Sequence, residues 1–234
     1  MTDTESHDPA AREVLLAWAV HLFTASGVVF ALLAIEALWR DAWHEVLFWL
    51  LVALAVDGLD GTLARKFRVS EFVPRIDGAA LDLIIDYLNY VLVPTMLIWR
   101  VELVPANLAL PTFTLILTSS LYVFVRRDMK TTDGYFRGFP ALWNVVAAYL
   151  ILIAPEPWVC AIIIIALSLA SFAPILVIHP FRTRDFPVAA PMLAVGWILS
   201  TLVVLRQKEL STVHHVALVA SVACLGGLLL MGIW

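Results

Sequence analysis

Residues 55–94 read AVDGLDGTLARKFRVSEFVPRIDGAALDLIIDYLNYVLVP and set four aspartates into two strongly apolar stretches. Asp57 and Asp60 close the first stretch, Asp82 and Asp86 open the second, and a basic connection with Lys66, Arg68 and Arg75 joins them. An acid inside a bilayer-spanning helix costs about 2.5–3.5 kcal/mol on insertion scales, so acids placed there need a compensating function. Asp57 and Asp60 are three residues apart and Asp82 and Asp86 four, which puts each pair on one helical face. Gly78, four residues before Asp82, extends the second face as a groove. Asp57 and Asp60 lie about 14 and 9 Å before Lys66, and Asp82 and Asp86 about 8 and 14 Å beyond Asp77, at 1.5 Å per residue. Two antiparallel helices therefore carry the four carboxylates at one depth. Left alone, such acids repel and take up protons. Divalent cations bound by oxygen ligands remove the conflict, and two ions about 3.5–4 Å apart suit phosphoryl chemistry. Ion pairing is a poor alternative with Arg65 the one arginine at hand, whereas a proton or metal-ion transport path shares the intramembrane acids.

The remainder of the chain is as apolar as this stretch. Of 234 residues 62% are hydrophobic, and the mean hydropathy is +0.92. Soluble domains hold roughly 45–50% apolar residues. Spans of about 20 apolar residues are expected at 13–38, 43–66, 77–99, 107–125, 139–154, 157–178, 188–205 and 212–233. The fifth is short and is ended by Pro155-Glu156-Pro157. The expectation is an all-α polytopic helical membrane protein of about eight transmembrane helices, residues 1–234 forming a single domain, with no nucleic acid as partner. The opening MTDTESHDPAAR is acidic and polar and does not read as a cleavable signal peptide. Eight spans place Arg12, Arg65, Lys66, Arg68, Arg75, Arg126, Arg127, Lys130, Arg137, Arg182 and Arg184 on one side, against Arg40, Arg100, Arg206 and Lys208 on the other. That asymmetry predicts cytoplasmic termini. Cys160 and Cys224 fall within spans and read as small apolar fillers, and Trp39, Trp43, Trp99 and Trp158 as interfacial anchors.

The run Asp57-Gly58-Leu59-Asp60-Gly61-Thr62-Leu63-Ala64-Arg65, followed by Gly78, Asp82 and Asp86, resembles the signature of the CDP-alcohol phosphotransferase family: D-x2-D-G-x2-A-R, a spacer, then G-x3-D-x3-D. All eight fixed residues are present. The spacer, residues 66–77, is longer than in most of that family. Its length, the eight-span plan, HLFTASG at 21–27 and DGYFRGFPALWN at 133–144 are similar to the bacterial phosphatidylcholine synthase branch. The resemblance implies an enzyme of the bacterial inner membrane, a homodimer by analogy, that moves the phosphatidyl group of CDP-diacylglycerol to choline and releases CMP. It implies manganese or magnesium, two ions per site, ligated by Asp57, Asp60 and Asp82. Asp86, at the edge of that site, would be the general base and a further ligand. Gly61, Ala64 and Gly78 would make room for the nucleotide and Arg65 would contact phosphate.

Choline offers no ordinary hydrogen-bond donor on its ammonium, so aromatic faces are expected around it. The candidates are Tyr87 and Tyr90, beside and one turn beyond Asp86, and Tyr122, Tyr135, Phe136 and Trp143 near span ends, with Asn144 as a polar contact. Each also has an ordinary packing role open to it. Arg126, Arg127, Lys130, Arg182 and Arg184 read as topology-setting charge in contact with anionic lipid, or else as contacts to the liponucleotide phosphates, Arg126 foremost. His21 reads as a packing residue, His179 as a loop residue, and His214-His215 as remote from the acids. Serine, inositol or glycerol 3-phosphate are the competing acceptors. A phosphorylated acceptor calls for a buried basic pocket that the spans do not supply.

Overall fold

The computed structural model describes residues 9–206 and 211–232; the acidic opening up to residue 8 and Lys208 lie outside the described residues. The first apolar run forms two helices, α1 (Pro9–Ala25) and α2 (Gly27–Trp39), with a turn at Ser26. There the Ser26 hydroxyl donates to the Phe23 carbonyl at 2.6 Å, a local bond that competes with the helical ladder. α3 (Trp43–Lys66) carries the first aspartate pair, and the connection holds a four-residue helix, α4 (Val69–Phe72). The third span is compound: α5 (Gly78–Asp86), a π-helical segment (Tyr87–Leu92) and α6 (Val93–Arg100). Pro94, which lacks an N–H and crowds the carbonyls of the preceding turn, follows directly on the widened segment.

The chain continues through α7 (Ala106–Val125), α8 (Trp143–Ile153), α9 (Pro157–Ala170), α10 (Ala189–Arg206) and α11 (Thr212–Gly232). Among the described residues six helical segments are long and apolar enough to cross a membrane, and α8 and α9 are shorter apolar helices. The expected count of about eight agrees with these together. α8 has 11 residues, or about 16 Å of helix, well short of the roughly 30 Å hydrocarbon thickness. It lies within the bundle, where the Trp143 side chain is fully buried and donates its indole N–H to Ser120 Oγ at 2.8 Å. The central core joins α2, α3, the third span and α7–α10 around residues such as Leu50, Val91, Leu97, Ile116 and Ile164. Leu15, Leu22, Leu32, Val216 and Leu230 are among the large apolar side chains turned outward, as expected where the solvent is lipid.

The all-α expectation has one small exception. β1 (Tyr135–Arg137) pairs antiparallel with β2 (Leu176–Ile178), with Phe136 opposite Val177. Two loops fold back to make this ribbon because glycine permits it. Gly134 has φ +93°, and a Cβ there would stand 2.4 Å from the Arg182 carbonyl oxygen; Gly138 has φ +81°, with the Ser171 carbonyl oxygen at 2.5 Å. The Tyr135 hydroxyl donates to Asp185 Oδ2 at 2.6 Å and ties the ribbon to the loop before α10. The end of α11 meets β2, Gly232 lying against Ile178, and Arg12 of α1 shares a recess with Lys66 and Arg68. Both ends of the described chain are thus on the ribbon side. On the opposite side Arg40 pairs with Glu36 and Glu45 at 2.7 and 2.8 Å, and Arg100 with Asp41 at 2.7 Å.

Candidate active site

Ligand oxygens of Asp57, Asp82 and Asp86 lie within 4.8 Å of one another. Asp60 stands outside this trio but lines the same cavity and is 5% exposed. Spacing sets how closely each pair converges, and the rotation of α3 against α5 decides that Asp57 rather than Asp60 joins the second pair. Residues four apart point about 40° away from each other and residues three apart about 60°, so Asp82 and Asp86 converge more closely than Asp57 and Asp60. Thr24 of α1 borders the crevice that Asp60 shares with the trio.

The third span is anchored where it delivers Asp86. Asn89, 2% exposed, donates from Nδ2 to the Gly27 carbonyl at 3.0 Å and to the Ile85 carbonyl at 3.1 Å. A Cβ on Gly27 would come within 2.4 Å of Ile85 Cγ2, so a larger residue there would force the Ile85 side chain or the helix to shift. One helical turn beyond Asp86, the Tyr90 hydroxyl donates to Asp57 Oδ2 at 2.6 Å, linking the two acid-bearing spans. Three carboxylates gathered in an apolar surround, with one hydroxyl donor among them, form an unbalanced negative site. Hard oxygen donors in that arrangement fit a magnesium- or manganese-type ion.

The cavity beside the acids has a volume of about 210 Å³. Arg65, Lys130 and Arg182 line it, and none of the three has an ion-pair partner among the described residues. A Cβ on Gly61 would stand 3.5 Å from Arg65 Nη1 and 3.6 Å from Arg182 Nη2, so the glycine opens a notch between two guanidinium groups. Lys130 Nζ is 5.7 Å from the centre of the Phe136 ring, and the His179 ring stacks on Phe136 at 5.1 Å. His179 Nδ1 accepts the Phe181 backbone N–H at 3.3 Å. Burial, then Lys130 and Arg182, push its imidazole down to about 3, so it is neutral at physiological pH. Acids on one wall, and cations at the rim held by no ion pair among the described residues, suit a metal-bound, phosphate-bearing substrate.

The other expected residues divide. Of the choline candidates, Tyr90 and Phe136 line this cavity. Tyr87 donates its hydroxyl to the Leu117 carbonyl at 3.1 Å. Tyr122 packs on Phe172 beneath the Arg126 guanidinium, and Tyr135 belongs to the ribbon. Trp143 is held by Ser120, and the Asn144 side-chain oxygen accepts the Val145 N–H at 2.9 Å. Arg126 pairs with Asp128 at 2.9 Å and does not line the cavity. Ala64 packs in a small cluster with Ala17, Val20 and Val69. Gly78 faces His21, whose Cε1 would be 3.2 Å from a Cβ at that position.

Lys130 and Arg182, rather than Arg126, border the cavity, and so do His179, expected only as a loop residue, and Trp197, which the sequence does not mark. One signal was there to read: the stretches from Arg126 to Leu142 and from Ser171 to Val188 are long for connections in a compact bundle, and such loops are commonly functional.

A family model described as CDP-alcohol phosphatidyltransferase matches residues 15–173. A phosphatidylcholine synthase of Pseudomonas aeruginosa is 44% identical over 192 residues, covering 82% of this chain and 81% of that protein. One from Borreliella burgdorferi is 37% identical over 200 residues, 85% of each chain. One from Mesorhizobium japonicum is 35% identical over 209 residues, 88% of this chain and 75% of the relative. The matched span takes in both aspartate pairs, the Gly61 notch and Lys130, and with it the chain belongs to the CDP-alcohol phosphatidyltransferase family.

Proposed function

We propose that this chain is a phosphatidylcholine synthase, moving the phosphatidyl group of CDP-diacylglycerol to choline and releasing CMP. The observation that carries the reading is one cavity joining three clustered carboxylates to three cations that have no ion-pair partner among the described residues. The phosphatidylcholine synthases that it matches at 35–44% identity favour choline as acceptor.

Asp57, Asp82 and Asp86, with Asp60 beside them, would hold two manganese or magnesium ions, which when bound supply positive charge against the pyrophosphate and the departing CMP. Arg65, Arg182 and Lys130 bind phosphate oxygens, the guanidinium groups of Arg65 and Arg182 meeting beside Gly61. Asp86 takes the hydroxyl proton of choline while that oxygen attacks the phosphorus bearing diacylglycerol. The new oxygen–phosphorus bond forms as the bond to the pyrophosphate bridging oxygen breaks, and CMP leaves with that oxygen. Tyr90, donating to Asp57, holds that acid in place. The whole chain serves as one catalytic domain, its ribbon side facing the cytoplasm and its spans in a bacterial inner membrane.

Purified enzyme given CDP-diacylglycerol, manganese and a panel of alcohols tests the reading. Choline should yield phosphatidylcholine and CMP. Product from serine, inositol or glycerol 3-phosphate with none from choline would refute it.

A further inference from the structure

The cavity sorts its charge. Arg65, Lys130 and Arg182 are its cationic lining residues, and they favour the phosphate-bearing donor over a quaternary ammonium. Phe136 stacks on His179 and has Lys130 over its ring, and Phe181, beside Arg182, is 46% exposed, where water weakens a cation–π contact. Trp197 differs. It is 6% exposed, borders the same cavity with Leu54 and Ile198, and stands about 12 Å along α10 from its ribbon-side start. That depth is close to the roughly 14 Å of Asp57 and Asp86 along their own helices.

The Trp197 ring is also held. Its Nε1–H donates to the Tyr149 hydroxyl at 2.8 Å; that hydroxyl contacts Ser221 Oγ at 2.5 Å, which contacts Thr201 Oγ1 at 2.8 Å. This network ties α8, α10 and α11 together inside the apolar bundle. With the indole N–H taken by Tyr149, what Trp197 has left for the cavity that it lines is its apolar aromatic ring. Such a surface attracts a cation without hydrogen-bond donors, most strongly when water is excluded.

We infer that Trp197, with Tyr90, holds the trimethylammonium of the acceptor and makes the site selective for a quaternary ammonium alcohol. The inference rests on the phosphatidylcholine synthase reading above. Trp197 is the specificity residue, and Tyr149 positions its ring.

The test measures initial rates against choline and against its neutral tert-butyl isostere, in which carbon replaces the quaternary nitrogen. Wild-type enzyme should prefer choline. Trp197→Leu should raise the choline KM about tenfold or more and remove most of that preference, with the KM for CDP-diacylglycerol and the kcat within about twofold of wild type. Trp197→Phe, which keeps a ring but loses the N–H anchor, should fall between; it decides the matter if the leucine variant does not fold. Tyr149→Phe should raise the choline KM by a smaller factor. An unchanged choline KM in Trp197→Leu and Trp197→Phe, or equal rises in the KM of both substrates, would overturn the inference while the wild-type reaction stands. Wild-type enzyme that makes no phosphatidylcholine would instead remove the reading beneath it, and the inference with it.

Discussion

Asp86→Asn keeps the size of the side chain at the end of α5 but removes its capacity to accept a proton. Turnover should fall about 10²–10⁴-fold, while CDP-diacylglycerol binding, followed by titration calorimetry in detergent, stays within a few-fold of wild type. Activity near wild type would exclude Asp86 as the base. The aspartates were readable in the sequence because an acid in an apolar span is costly, and their three- and four-residue spacing gave the faces. The sequence did not reveal that Asp57, Asp82 and Asp86 cluster while Asp60 stands aside, since that depends on the relative rotation of two helices. Arg182 was equally hidden. It reaches Gly61 only because a loop more than a hundred residues further along folds over α3.

Among the elements, the ribbon of β1 and β2 makes the sharpest demand on the backbone. Alanine at Gly134 must adopt a left-handed conformation, costing roughly 1–2 kcal/mol, with its Cβ against the Arg182 carbonyl oxygen. Gly134→Ala should therefore lower the melting temperature of the solubilised enzyme and raise the KM for CDP-diacylglycerol several-fold by displacing Lys130 and Arg182. A wild-type KM together with a wild-type melting temperature would show that the ribbon does not hold the rim. Most span positions were legible from hydropathy, including the shortness of α8 before Pro155, but the expected span 157–178 is helical only as far as Ala170, and its last three residues form β2. The turn at Ser26, the π-helical segment at Tyr87–Leu92 and the ribbon were not. Each is a local departure settled by long-range contacts, such as Asn89 with Gly27, against a sequence pattern that reads as continuous helix or plain loop.

For the molecule as a whole, topology and chemistry meet on one side. Eleven of the described lysines and arginines accompany the ribbon, with Arg40, Arg100 and Arg206 opposite, so the cavity is expected to open toward cytoplasmic choline. The chain has three lysines, Lys66, Lys130 and Lys208. A membrane-impermeant amine reagent should modify Lys66 and Lys130 in inverted vesicles and Lys208 in right-side-out ones; the reverse pattern would invert the orientation. The most direct test of the central claim follows labelled choline and CMP together in vesicles of the purified protein with CDP-diacylglycerol. The account predicts one phosphatidylcholine formed per CMP released, a reaction halted by chelator and restored by manganese or magnesium. Full activity in chelator, or CMP released without phosphatidylcholine, would contradict it.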